Sequence, residues 1–272
     1  MKVRPRSSKK RLSDKSSSKK RSSGKISSRS ADRANGRLHG HVALVTGATR
    51  GIGLAIAHAL AAKGCDLVLT GRDDSALRRI SRELASAKIQ ILAPPCDLRD
   101  PQSVDDLFRA IRQRFKRLDI LINNAGIAHT NLTVDKLPLP LWHNVIETNL
   151  TGMFLVTQAA LAIMKRGGAI VNNLSIAAHR VFAGSAAYAA SKHGALGFTN
   201  TLREELRPKG IRVIGLLPGA TDTEIWNTFW PQAPRKKMMS PASVAEAVVN
   251  AILLPPNATV ETLEILPTTG TL

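Results

Sequence analysis

The chain runs to 272 residues and carries 39 Lys and Arg against 20 Asp and Glu, a formal net charge of +19. That length suits one α/β domain with a sizeable core, and no apolar run nears the roughly 18 residues that a membrane span needs. Cys65 and Cys96 stand apart from any metal-ligand spacing, and no apolar leader precedes them; two free thiols in a soluble, cytoplasmic protein are expected.

Residues 1–37 hold 14 of the basic side chains against only Asp14 and Asp32. Such a stretch buries too little apolar surface to offset its ordering entropy, so a disordered basic tail is expected. It would attract polyanions weakly and non-specifically through counterion release, but it lacks aromatics for base stacking. It is Ser- and Arg-rich like a transit peptide, yet offers no apolar helical face. The bland reading is a solvated tail, and the folded domain is expected over 38–272.

From residue 41 onward, short aliphatic runs alternate with longer amphipathic ones, the pattern of βαβ units around a doubly wound parallel sheet. About seven strands are predicted, at 41–46, 67–70, 89–93, 120–123, 169–174, 212–217 and 262–266. Helices are predicted to follow Gly51, Asp74, Pro101, Pro140, Ser185 and Pro241. Asp100-Pro101 and Ser240-Pro241 show the cap-then-proline order of a helix start.

The turn after the first strand reads Thr46-Gly47-Ala48-Thr49-Arg50-Gly51-Ile52-Gly53. Three glycines between strand and helix let backbone approach a pyrophosphate, and the helix N-terminus adds N–H donors and a positive dipole end. A glycine pattern alone is weak; its position between strand and helix at the start of the domain makes it a dinucleotide loop. The second strand ends in Thr70-Gly71-Arg72, with glycine where an NAD site keeps an acid for the ribose 2′-hydroxyl. Arg72, with Arg50, suits a 2′-phosphate, so NADP(H) is expected in preference to NAD(H), although Asp73 stands next door.

Ser175 closes the strand at 169–174, Tyr188 follows thirteen residues later, and Lys192 four after that. The i, i+4 pair shares one face of the helix predicted at 185–207. At about 5 Å and an effective dielectric of about 20, the ammonium would favour phenolate by roughly 3 kcal/mol. That brings a phenol titrating near 10 toward the range of general acid–base work, with Ser175 able to hydrogen-bond the substrate oxygen. Two segments are expected to set specificity: 176–184, with His179, Arg180 and Phe182, and 224–237, with Ile225, Trp226, Phe229 and Trp230 on one face. The aromatics suggest either a lid that excludes water or packing on the core or a second subunit. A substrate carboxylate could engage Arg180, though a solvated loop arginine is the plainer reading.

Taken together these motifs resemble those of the short-chain dehydrogenase/reductase family, over about residues 40–267. Thr46–Gly53 is similar to its cofactor loop, Asn123-Asn124-Ala125-Gly126 to the motif after its fourth strand, and Pro218-Gly219 to its turn after the sixth. The resemblance implies a Rossmann-type fold, hydride transfer between NADP(H) and a carbonyl or secondary alcohol, and a tetrad of Asn149, Ser175, Tyr188 and Lys192. It assigns Tyr188 as acid/base and Ser175 as the residue that polarises the carbonyl. Lys192 would tune Tyr188 and hold ribose hydroxyls, and Asn149, in a helix over 140–166, would anchor a relay water.

The resemblance further implies that Asp97 and Leu98 border the adenine, Asn124, Ala125 and Gly126 line the adenosine side, and Thr221 and Thr223 approach the nicotinamide. It implies a homodimer or homotetramer formed through the helices at 140–166 and 185–207. Two departures stand out: Leu174 replaces a common second serine, and 263–270 lacks the glycine-rich ending of 3-oxoacyl thioester reductases. A thioester reductase is therefore the alternative enzyme, and a non-catalytic NADP(H)-binding sensor the alternative of another class.

Overall fold

The structure, a computed structural model, describes residues 38–270; the tail expected at 1–37 lies outside the described residues. Seven parallel strands form one sheet in the order β3-β2-β1-β4-β5-β6-β7. They are β1 Val42–Thr46, β2 Asp66–Thr70, β3 Ile91–Leu92, β4 Leu118–Asn123, β5 Met164–Asn173, β6 Arg212–Pro218 and β7 Thr262–Ile265. The central strands are buried throughout, as a sheet covered on both faces requires.

The longer helices are α1 Gly51–Ala62, α2 Asp74–Leu84, α3 Pro101–Arg114, α4 Leu139–Ile146, α5 Gly152–Leu161, α6 Ala186–Leu206 and, after the single-turn α7 Trp226–Phe229, α8 Pro241–Leu253. Ile56, Leu60, Leu77, Ile80 and Val248 bring α1, α2 and α8 onto one face of the sheet. Leu107, Phe108, Ile111, Val156 and Leu202 bring α3, α5 and α6 onto the other. Asp73, Asp100 and Ser240 cap α2, α3 and α8 through side-chain oxygens, the last two at the Asp-Pro and Ser-Pro signals.

The predicted elements differ from these in three places. β3 is only two residues long because Pro94 and Pro95 cannot donate to the ladder, and its line continues as a single bridge from Gly71 to Pro95. β5 begins at Met164, and an irregularity in its register with β4 falls between Leu118 and Ile120. The helix expected at 140–166 is interrupted by a π-helical turn at Glu147–Thr151, which contains Asn149. Cys65 and Cys96 are buried thiols outside any disulfide, and the Cys65 thiol donates to the His41 carbonyl at 3.3 Å.

The chain order reverses between β1 and β4, so the crevice of a doubly wound sheet opens at the carboxyl ends of these strands.

Candidate active site

A cleft of about 1240 Å³ lies there. It runs from Arg72 and Asp97 at one end, past Gly47–Ile52 and Asn124–Gly126, to Ser175, Tyr188, Lys192 and the aromatic segment after β6. Thr49, Arg50, Leu98, Pro218, Gly219, Thr221 and Thr223 also line it.

The glycine loop fits a bound diphosphate. Gly47 and Gly51 sit at φ +61° and +56°, and a Cβ on Gly47 would fall 2.8 Å from the Ala125 Cα. Gly53 is inside rather than lining the cleft: its α-carbon packs where a Cβ would strike the Gly47 carbonyl and the Asn124 amide. Arg50 at the N-cap of α1 gives no side-chain cap, and the first turn holds no acid. α1 thus presents uncapped N–H groups and its dipole to an anion, whereas α2, α3 and α8 are closed by their own side chains.

Thr46 and Asn124 brace this loop. Thr46 Oγ1 accepts from the N–H groups of Asn124 and Ala125, each at 3.0 Å. Asn124 Nδ2 donates to the carbonyls of Thr46 and Gly47 at 3.0 and 3.1 Å. At the far end, Asp73 Oδ1 accepts from Ala76 N at 3.0 Å. That acid caps α2, and the end of β2 is left to Gly71 and Arg72. Asp97 is held by Arg99 Nε at 3.0 Å, which keeps its carboxyl below the usual carboxylate range.

The other end gathers the titratable groups. Ser175 Oγ accepts from Ala177 N at 3.1 Å and faces the Tyr188 phenol closely enough to lower it. Lys192 is buried, donates from Nζ to the Asn173 carbonyl at 2.9 Å, and lies 5.5 Å from the Tyr188 ring centroid. Asn149, fully buried, closes on the loop after β4: Oδ1 accepts from Ile127 N at 2.8 Å, and Nδ2 donates to Ile127 O at 2.9 Å and Ser191 Oγ at 3.0 Å. The π turn is what aims it there; such turns recur at functional sites. Gly126 borders both groups: a Cβ there would stand in ordinary contact with Asn149 Oδ1 at 3.4 Å and Lys192 Nζ at 3.6 Å.

The family model described as short chain dehydrogenase matches residues 41–234. The chain belongs to this family. It is 36% identical over 252 residues to a putative ketoacyl reductase of Streptomyces coelicolor, spanning 84% of this chain and 95% of that protein. It is 34% identical over 238 residues to sulfoacetaldehyde reductase 2 of Chromohalobacter salexigens, spanning 84% and 94%. An alcohol dehydrogenase of Thermococcus sibiricus, solved in complex with 5-hydroxy-NADP, has a TM-score of 0.79 at 32% identity, covering 84% of this chain and 97% of that one.

In this short-chain dehydrogenase, Phe182, Trp226 and Trp230 line the cleft. His179 does not. The short helical turn Ile176–Ala178 carries it outward, where its Nε2 stands 3.6 Å from Glu264 of β7, and Arg180 pairs with the same carboxylate at 3.3 Å. Sequence reasoning missed Asn173 and Ser191, which act through others. Asn173 supplies the carbonyl for Lys192, and its Nδ2 reaches Asn124 Oδ1 at 2.8 Å, joining the lysine to the glycine loop. An asparagine pair ending an otherwise apolar strand was the available signal.

The electrostatics differ from the simple pair expected. Burial pushes the Tyr188 phenol up, and the Ser175 hydrogen bond pulls it part of the way back. Burial also pushes Lys192 down, to about 8. In the unfolded chain Lys192 titrates near 10.5, so between about 8 and 10.5 the unfolded state binds the extra proton and stability rises with pH. Tyr188 and Cys96, both raised by burial, work the other way above their ordinary values. A difference measurement removes them: the stability advantage of Lys192→Met over wild type should shrink by about 2 kcal/mol from pH 7 to pH 9.5. Urea unfolding at both pH values without added nucleotide checks this, and an unchanged gap would refute the buried ammonium.

Proposed function

We propose that this oxidoreductase reduces a carbonyl to an alcohol with NADPH, using Tyr188 as general acid. The observation that carries the reading is the meeting of Ser175, Tyr188 and Lys192 in the same cleft as the uncapped glycine loop. The bound nicotinamide would supply the hydride. The chain's own residues do the rest: Tyr188 hands its proton to the carbonyl oxygen, and Ser175 donates a hydrogen bond to that same oxygen. Lys192, fixed by Asn173, would face the ribose hydroxyls. The Asn149 amide is spent on Ile127 and Ser191, so a relay water for Lys192 would rest on the backbone of the π turn instead.

NADP(H) is supported by Arg72 and Arg50 in the cleft, by Asp73 turned to its capping task, and by the nucleotide named in the Thermococcus structure. Asp97 and Leu98 would border the adenine, Asn124 to Gly126 the adenosine, and Pro218, Gly219, Thr221 and Thr223 the nicotinamide end. The Arg72→Ala variant should lose roughly tenfold to a hundredfold in kcat/KM with NADPH, the worth of one or two charge-assisted hydrogen bonds, and nothing with NADH. Equal loss with both nucleotides would remove Arg72 from the 2′-phosphate. We place the subunit contact of a dimer or tetramer on α5 and α6, where Phe154 is exposed and stacks edge-on against Phe198 at 6.2 Å. The cytoplasm suits two buried thiols outside any disulfide; no helix among the described residues is long and apolar enough to cross a membrane.

The test is NADPH absorbance against ketones, aldehydes and 3-oxoacyl thioesters. Thioester turnover far above that of free ketones would favour the second reading, which the name of the Streptomyces relative supports.

A further inference from the structure

Two relatives name opposite kinds of carbonyl: one a ketoacyl group, the other an aldehyde that carries a sulfonate. The substrate end of this cleft distinguishes them. Its walls are Val181, Phe182, Ile225, Trp226, Phe229 and Trp230. Phe229 lies 6.1 Å from the Tyr188 ring, Trp226 5.9 Å from Phe229, and Trp230 6.3 Å from Trp226, so a ladder of aromatic rings leads away from the reacting phenol. The Trp226 indole N–H is committed to the Thr221 carbonyl at 2.8 Å, which fixes the ladder and leaves only the outermost indole, that of Trp230, with a donor to offer.

Among the described residues, no unengaged cation lines the aromatic end of the cleft. Arg50 and Arg72 belong to the loop after β1 and the end of β2. In the order β2-β1-β4-β5, β2 is three steps from the strand that leads to Ser175, roughly 14 Å at sheet spacing, and β1 is two steps, roughly 10 Å, with Arg50 at the N-cap of α1 beside the diphosphate loop. Lys192 is held on Asn173. Of the basic residues in the two flanking segments, His179 and Arg180 face Glu264. Arg235 is bound by Asp222 at 2.7 Å, the Thr223 carbonyl at 2.6 Å and Asn227 at 2.7 Å. Lys236 and Lys237 are exposed and do not line the cleft. Glu224 also lines the cleft, with its carboxylate beside Gly51 of the glycine loop, and adds negative charge between the two ends.

Resting on the reductase reading above, we infer that this site takes a neutral carbonyl compound with an apolar body and discriminates against substrates bearing a carboxylate or sulfonate. An anion on the aromatic ladder would lose water without gaining a partner, while an alkyl or aryl group there exchanges water for apolar surface.

Three probes of one length test it: 2-octanone, 7-oxooctanoate and the methyl ester of the latter. With full-length protein and NADPH, kcat/KM for the carboxylate should be lower than for 2-octanone by tenfold or more, and the ester should recover most of the loss. Quenching of tryptophan fluorescence in the NADP⁺-loaded protein should give the same order of affinities, whether or not turnover occurs. Val181→Arg should narrow the gap between ketone and carboxylate. Parity of 7-oxooctanoate with 2-octanone in both binding and turnover overturns the inference and leaves the reductase standing. Ordered binding without turnover of any probe upholds the inference and counts against the reductase.

Discussion

Replacing Tyr188 with phenylalanine should lower kcat for carbonyl reduction by roughly 10²–10⁴-fold, the usual worth of a positioned proton donor, with NADPH affinity nearly unchanged. Tyr188 is the only tyrosine in the chain, so no other phenol can substitute. The ring itself persists in the variant and keeps its place against Phe229, 6.1 Å away in the wild type, which confines the change to one hydroxyl. Ser175 keeps its contact with the Ala177 N–H, so the short turn that carries it survives.

Because that hydroxyl acts only as the oxygen takes its proton, kcat and kcat/KM should fall together. The wild-type pH profile should show the same group. A phenol raised by burial is protonated at neutral pH, so reduction is supported there and declines only on the alkaline side. Loss of the Lys192 charge near 8 contributes to that decline. Stopped-flow NADPH oxidation with a neutral ketone, alongside nucleotide titration, reads both quantities. Activity in Tyr188→Phe within tenfold of wild type would remove the phenol from the reaction.

The parts of this site that were legible in the sequence are those set by local spacing. Thr46 to Gly53 could be read because a strand, a glycine turn and a helix follow one another within a dozen residues. The i, i+4 placement of Tyr188 and Lys192 holds because helical geometry alone fixes it. What was not legible depends on partners distant in sequence. His179 looked like a substrate contact, but Glu264 on β7 draws it and Arg180 away. The π turn at Glu147–Thr151 has no periodicity of its own, and the amide of Asn149 finds its role only against Ile127 and Ser191. The phenol–ammonium pair was recognisable, but the burial that moves the phenol up and the ammonium down arises from the assembled cleft. The aromatic segment depends likewise on the assembled cleft, where Phe229 lies 6.1 Å from the Tyr188 ring.

Gly53→Ala tests the glycine loop where its tolerance is least. Gly53 lies in the first turn of α1, where φ is ordinary and alanine is by propensity the better helix former. On propensity alone the substitution would stabilise the helix. Packing reverses the sign: the added methyl would coincide with the Gly47 carbonyl and the Asn124 side-chain amide. Neither can retreat cheaply. Gly47 is held in a left-handed conformation against Ala125, and Asn124 ties Thr46 and Gly47 to Asn173, whose carbonyl carries Lys192.

The loop should therefore be pushed off its diphosphate-binding geometry, costing one or more charge-assisted hydrogen bonds and weakening NADPH roughly tenfold to a hundredfold. Disturbance through Asn124 and Asn173 should also reach Lys192, so kcat at saturating NADPH should fall as well. Gly51→Ala separates the causes: its methyl would press on the Thr223 side chain at 3.1 Å and touch Glu224 Oε2 at 3.8 Å, far looser than the overlap at Gly53, but from a backbone at φ +56°, so strain more than collision opposes it. It should weaken nucleotide binding while leaving kcat at saturation closer to wild type. Wild-type NADPH affinity in Gly53→Ala, in protein shown to be folded by circular dichroism, would mean that the loop around Gly47 does not hold the nucleotide.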